Sequence, residues 1–199
     1  RQAPLSVLIR SPRQVGGLAA EIPEAAERLM ASYWPGPLTL IFRAQEGLTW
    51  YLGESEGAVA LRMPTDDLTL SIVAEIGPLA ATLASKLGMP LPSTGQEAQG
   101  LLRKAVQVYV EGGRREQEPS TIVDVTREGA VILRRGAIPA AHVEQVASGA
   151  VGWGQRPGDA GPAAETDAEA AADDLMQERA GTARPEAETE VADADRDRG

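Results

Sequence analysis

"SYWPGPLTLIF", residues Ser32 to Phe42, places two prolines and a glycine between a helix-like run and an apolar run rich in strand formers. Pro35 and Pro37 cannot continue a helix, and Gly36 permits a turn that other residues would make at a cost. The stretch therefore reads as a rigid corner where a helix stops and a strand over 38–44 enters a sheet. Trp34 gives that corner an apolar lid, and its role in this reading is scaffold rather than ligand contact.

Elements alternate outward from the corner. "PLSVLIR" (4–10) reads as a strand, "SPRQVGGLAAEI" and "PEAAERLMASY" as two short helices, with Pro23 suited to the first turn of the second. "GAVALRM" (57–63) is a further strand. Thr65 is the expected N-cap of the helix "LTLSIVAEIG", with Asp66 and Asp67 favourably placed in its first turn. "PLAATLA" (78–84) looks strand-like, a helix covers 94–105, and "VQVYV" (106–110) alternates as a strand does. "STIVDVT" and "AVILRRG" joined by "REG" form a hairpin, and "PAAHVEQVA" (139–147) closes the domain as a helix. This irregular interleaving implies an α/β domain with a mixed sheet.

The 199 residues carry a net charge of −10, but thirteen acidic against five basic residues fall after Ala150, leaving 1–150 at only −2. The expected organisation is one domain over 1–149 and a disordered acidic tail over 150–199, because the tail has too few large apolar residues to offset its ordering entropy. A nearly neutral domain can still hold a basic pocket for an anion. There is no cysteine and one histidine, His142. That excludes disulfides, thiolate metal sites and a Cys nucleophile, and leaves little room for a histidine-based relay. No apolar run is long enough for a membrane helix and no signal pattern is present, so the expected location is cytoplasmic. The chain begins on Arg1 and enters a strand almost at once, as a chain would whose true beginning is missing.

The chemistry-bearing candidates are few. Arg62 follows "AVAL" and Arg134 follows "AVIL", so both stand at strand ends, where guanidinium forks can meet a carboxylate or a phosphate. The competing reading is of surface arginines at sheet edges. Ser120 and Thr121 begin a strand after the glycine-rich, charged and therefore mobile loop 111–119, and a hydroxyl there either binds a polar ligand or caps a turn. "GGLAAE" (16–21) has neither dinucleotide nor Walker spacing.

In order, "PLSVLI", "YWPGPLTLIF", "AVALRMP", "GMPLPSTG", "PSTIVD" and "VILRRGAI" make residues 3–147 resemble the YrdC-type L-threonylcarbamoyladenylate synthases. The resemblance implies an α/β fold, a twisted mixed sheet with flanking helices around a large, positively lined cavity. It implies condensation of threonine, bicarbonate and ATP into threonylcarbamoyl-AMP and pyrophosphate. That product feeds a downstream threonylcarbamoyl transferase for t6A37 of tRNA, and some relatives bind double-stranded RNA. By the same resemblance Arg62, Thr82 and Ser120 would line the threonine pocket. Ala58, Ala84, Pro92 and Arg134 would meet ATP, with Mg2+ held by phosphate oxygens and water rather than by a protein ligand. No catalytic residue is assigned.

Two departures stand beside this. The YPT and KxR motifs that precede the "PL" run in the family are absent, and the family's TSANxSG loop becomes "TLASKLG" (82–88), with Leu83, Ser85 and Leu87 in place of Ser, Asn and Ser. The alternative they leave open is a non-catalytic relative that binds nucleotide or double-stranded RNA.

Overall fold

The computed structural model describes residues 5–85, 89–115 and 118–159. Residues 1–159 form one compact unit; 160–199 form a second, which lies outside the described residues, and the expected tail disorder lies there with it. Six strands make one mixed sheet: β1 (Ser6–Leu8), β2 (Leu38–Arg43), β3 (Ala58–Arg62), β4 (Leu79–Ala81), β5 (Thr121–Asp124) and β6 (Val131–Arg134), in the order β4-β1-β3-β2-β5-β6. β1 runs parallel to β3 and β2 parallel to β5; the remaining neighbours are antiparallel.

Alternation decides what each face carries. On β3, Val59 and Leu61 are buried while Ala58, Ala60 and Arg62 are only partly so. Leu61 pairs with Leu40 and Val59 with Phe42, and Leu40 pairs with Val123, which gathers one apolar face. Two helices cover it. α1 (Glu24–Tyr33) buries Ala26, Leu29, Met30 and Tyr33, a stripe at helical spacing, and α4 (Ala140–Ala147) buries Val143 and Val146. Each fully buried Leu, Phe or Val contributes roughly 1.5–3 kcal/mol by leaving water.

The structure moves several expected elements. "SPRQVGGLAAEI" is a short 3₁₀ turn, Pro12–Gly17, capped by Ser11, because the two glycines end it before an α-turn repeats. The cap of α2 (Asp67–Ile76) is Asp66, not Thr65: its carboxylate accepts from the Thr69 backbone N–H at 2.9 Å and from the Thr69 hydroxyl at 2.8 Å. Pro23 likewise sits at the N-cap of α1 rather than inside its first turn. "VQVYV" forms no strand; Val106, Val108 and Val110 are exposed, since alternation yields a strand only where a partner edge is free to receive it. The helix after α2 is α3 (Gly95–Leu102), capped by Thr94.

Residues 150–159, expected in the tail, instead lie against α1. Ser32 Oγ donates to the Gln155 carbonyl at 2.8 Å, Arg156 Nε donates to the Ser32 carbonyl at 2.7 Å, and the Arg28 guanidinium lies 5.3 Å from the Trp153 ring centre. The compact unit thus continues to Asp159, ten residues past the boundary read from composition. Among the described residues no helix is long and apolar enough to cross a membrane.

Candidate anion-binding site

At the end of the sheet where β3 finishes and β5 begins, four chain segments are stitched together by backbone bonds. Gly36 N–H donates to the Met63 carbonyl at 2.8 Å, Thr121 N–H to the Pro37 carbonyl at 2.9 Å, and Ala137 N–H to the Pro119 carbonyl at 3.0 Å. The buried Thr121 hydroxyl accepts from Ile138 N–H and donates to the Ile138 carbonyl, at 3.0 and 2.9 Å. Two glycines are required by closeness alone: a Cβ on Gly36 would collide with the Tyr33 carbonyl, and one on Gly136 with the Pro119 carbonyl.

The corner thereby positions Arg62. Arg62 Nε donates to the Gly36 carbonyl at 3.2 Å, so the guanidinium is tied on its inner edge to the turn that the two prolines fix. Trp34 Nε1 donates to the Leu38 carbonyl at 2.9 Å and closes the turn from the other side. The scaffold reading of the corner is what these bonds describe.

Arg134 reaches the same end by a different device. Ile132 faces Val123 and Arg134 faces Ile122, so residues two apart on β6 meet neighbours on β5 and Leu133 is the extra residue of a β-bulge. Were Leu133 paired in the ladder, Arg134 would share the core-side face of Ile132; with Leu133 outside it, Arg134 joins the face of Arg62. Its Nε and Nη2 both donate to the Ser120 carbonyl, at 3.1 and 2.7 Å, and Nη2 also donates to Ser120 Oγ at 2.9 Å.

Burial, and after it the charge of Arg134, hold the Arg62 pKa below the ordinary guanidinium value. Among the described residues neither arginine is in an ion pair. Two close cations without an acid partner repel, and an anion between or beside them would relieve the repulsion. A cavity of about 290 Å3 opens here, lined by Pro37, Arg62, Thr65, Glu118 and Ala137. That is near the lower end of small-ligand cavities.

Of the residues expected to line a site, Arg62, Ser120 and Arg134 are brought together. Thr82 and Ala84 are not in this cluster: Ala81 is level with Ser6 and Ala60, so Thr82 leaves the sheet about 10 Å along the strand from Arg62, at the opposite end. Ala58 begins β3 at that same far end, paired with Arg43, and Pro92 precedes α3. Lys86, Leu87 and Gly88 of the altered loop lie outside the described residues. Sequence reading missed Pro37, Thr65, Glu118 and Ala137. Thr65 was taken as a cap; once Asp66 takes that role, Thr65 is left to line the cavity.

The loop 111–115 is tied down rather than loose. Glu111 accepts from Gln96 N–H and Gly113 N–H, Arg115 N–H donates to the Ser93 carbonyl, and the Arg115 guanidinium meets Asp66 at 2.7 Å. The Asp66 pKa is held below the usual carboxylate range by the Thr69 hydroxyl and amide first, and by Arg115 after them.

The chain is similar to known proteins of one family. The sequence model of the Sua5/YciO/YrdC family, described as telomere recombination, matches residues 1–136. A Mycobacterium leprae protein provisionally named a threonylcarbamoyl-AMP synthase is 35% identical over 147 residues, covering 73% of this chain and 67% of that protein. The threonylcarbamoyl-AMP synthase of Pyrococcus abyssi is 34% identical over 146 residues, 72% of this chain and 43% of its own length. The solved structure of P. abyssi Sua5 complexed with L-threonine superposes with a TM-score of 0.67 at 33% identity, over 72% of this chain and 43% of that one. The chain thus spans less than half the length of the Pyrococcus relative. Escherichia coli YciO, at 23% identity and a TM-score of 0.61 over 68% of this chain and 67% of its own, shares the fold.

Proposed function

The chain belongs to the Sua5/YciO/YrdC family, and on that premise we propose that it is a threonylcarbamoyl-AMP synthase serving t6A37 formation in tRNA. Threonine and bicarbonate give the N-carboxylate with loss of water. One carboxylate oxygen of that carbamate then attacks the α-phosphorus of ATP, and the bond to pyrophosphate breaks. The observation that carries this reading is the pairing of Arg62 and Arg134 at one sheet end, each fixed on its inner edge and unpaired with any described acid. The reaction brings two anions together, an amino-acid carboxylate and a polyphosphate, and the site supplies two cations.

In this reading Arg62 pairs with the threonine carboxylate and Arg134 with the phosphates, where a planar fork bonds two oxygens at once. Holding the carbamate oxygen in line with the α-phosphate is the larger part of the work, since orientation replaces an encounter in solution. Thr82 and Ser120 are assigned to the amino-acid side and Ala58, Ala84 and Pro92 to ATP. The placement of Thr82, Ala84 and Ala58 away from the cluster means that a ligand meeting all of these residues would extend along the sheet from the Arg62 end toward Ala58. Among the described residues no group of three or more acids or histidines is arranged to hold a metal ion. In this reading magnesium enters with ATP, held by phosphate oxygens and water, and no step is assigned to a protein-bound ion.

Purified protein should release pyrophosphate from ATP only when threonine and bicarbonate are both present. Arg62→Ala should raise the KM for threonine by about 10–100-fold and leave that for ATP nearly unchanged, the size expected for a charged hydrogen-bonded contact. Arg134→Ala should do the reverse. Pyrophosphate release indifferent to threonine would overturn the assignment.

A second reading, binding of nucleotide or double-stranded RNA without turnover, is favoured by one observation. Leu83 stands exposed where the family's loop has a serine hydroxyl. Duplex RNA bound without turnover, with an affinity that falls steeply as salt rises, would support it.

A further inference from the structure

The hydrogen bonds beneath Arg134 do not stop at Ser120. Ser120 Oγ lies 2.9 Å from Thr39 Oγ1, and both residues are buried, Thr39 at 2% and Ser120 at 4% exposure. Thr39 comes from β2, Ser120 immediately precedes β5 and Arg134 ends β6, so one line of polar groups runs across three neighbouring strands. Thr39 is the threonine of the WPGPLT corner, a motif from which the site as described above uses backbone groups and the Trp34 indole.

A hydroxyl has one hydrogen to donate and two lone pairs to accept with. Thr39 Oγ1 and Ser120 Oγ share one hydrogen bond that either hydroxyl can donate, and Ser120 Oγ is the one partner of Thr39 Oγ1 among the described residues. Arg134 Nη2 donates to Ser120 Oγ as well. The Ser120 hydroxyl is then held by two partners and cannot turn to another rotamer without breaking one of those bonds. Arg134 in turn has its Nε and Nη2 groups engaged by the Ser120 carbonyl and hydroxyl, which leaves Nη1 as the group without a partner among the described residues.

We propose that Thr39 is a positioning residue: acting through Ser120, it fixes the Arg134 guanidinium so that its Nη1 group is held ready to donate to a phosphate. The proposal rests on the assignment of Arg134 to the polyphosphate. Thr39 touches no ligand; removing its hydroxyl leaves the Ser120 hydroxyl with one hydrogen-bond partner instead of two, free to rotate and carry the Nη2 contact with it. Preorganised donors lose much of their effect when they must be ordered at the moment of binding.

The test is a double-mutant cycle on binding of inorganic pyrophosphate, read by calorimetry, with the KM for ATP as the parallel readout in turnover. Thr39→Val should weaken pyrophosphate binding by about tenfold and raise the KM for ATP similarly, with kcat changed less. Thr39→Ser, which keeps the hydroxyl, should restore both to within about twofold. The decisive variant is Thr39→Val in an Arg134→Ala background: it should add nothing to the loss from Arg134→Ala alone, because the hydroxyl acts only through that arginine. Additive losses, failure of Thr39→Ser to rescue, or wild-type protein that binds no pyrophosphate would each overturn the proposal. The outcomes separate from those of the synthase reading. A cycle that closes on pyrophosphate without threonine-dependent turnover would uphold the relay and refute the synthase, and turnover with additive losses would do the opposite.

Discussion

The Arg62 end of the sheet and the loops between Ser93 and Arg115 both hold apolar residues, charges and glycines, yet they are secured in unlike ways. At the sheet end, backbone groups of Gly36, Pro37, Pro119 and Thr121 bond to backbone and those of Ile138 to the buried Thr121 hydroxyl, above a core in which Leu38, Leu40, Leu61 and Val123 are fully buried. The loops are held by exposed side chains: Glu111 on two amides, Tyr109 on the Arg103 carbonyl, and Arg115 on Asp66. Val108 in the same stretch is 73% exposed. Exposed ion pairs contribute about 0–1 kcal/mol each, whereas backbone bonds sealed over a core are lost only when the core opens. The contrast teaches that position in this molecule comes from buried backbone pairing, and that apolar residues with nothing to pair against do not supply it.

The largest effect should come from setting one apolar residue of each region against the other. Phe42→Ala removes a fully buried ring and should cost about 3–5 kcal/mol, read as a lower urea midpoint, while Val108→Ala should change it by less than about 0.5 kcal/mol. Equal losses would dissolve the contrast. Next comes Gly36→Ala. The added methyl forces the turn away from the Tyr33 carbonyl, at roughly 1–3 kcal/mol, and should raise the KM for threonine because the Gly36 carbonyl no longer holds Arg62. An unchanged KM in a destabilised variant would show that the corner does not position the arginine.

A smaller effect should separate two truncations. Ending the chain after Gly149 removes the contacts of Trp153, Gln155 and Arg156 with α1 and should lower the thermal midpoint by a few degrees, at about 2–4 °C per kcal/mol; ending it after Asp159 should not. The smallest concerns Asp66. Its folded pKa lies below its unfolded value of about 3.9, so its contribution is fully present above that value and fades as pH falls through the folded one. Asp66→Asn should therefore be less stable than wild type by under about 1 kcal/mol at pH 7, with the gap narrowing below pH 4 in urea unfolding. A gap that widened in acid would reverse the sign assigned here.

Much of this was legible in order along the chain. The corner, α1 and strands β2, β3 and β5 have strong local signals, and Arg62 at a strand end is visible in "AVALRM". What the sequence did not disclose depends on partners far away in the chain. The alternation of "VQVYV" is as regular as that of β3, but only β3 meets neighbours on both sides. Trp153 looked isolated because the Arg28 face of α1 that receives it lies more than a hundred residues upstream. Thr65 and Asp66 differ by one position, and the choice between them as cap turned on which carboxylate or hydroxyl reached Thr69. The cavity joins Pro37, Arg62, Glu118 and Ala137, four residues that become neighbours only when the sheet is assembled.

The bulge at Leu133 has a further consequence. Leu133 is 58% exposed, so the nature of its side chain matters little where it stands. What matters is that it stands outside the ladder. Most substitutions at 133 should pass unnoticed, whereas a ladder that took Leu133 in opposite Ile122 would return Arg134 to the phase of Ile132, pointing the charge into the apolar layer and removing one of the two cations from the open face. The message written at this position is a phase rather than a letter, and residue identity alone does not record it.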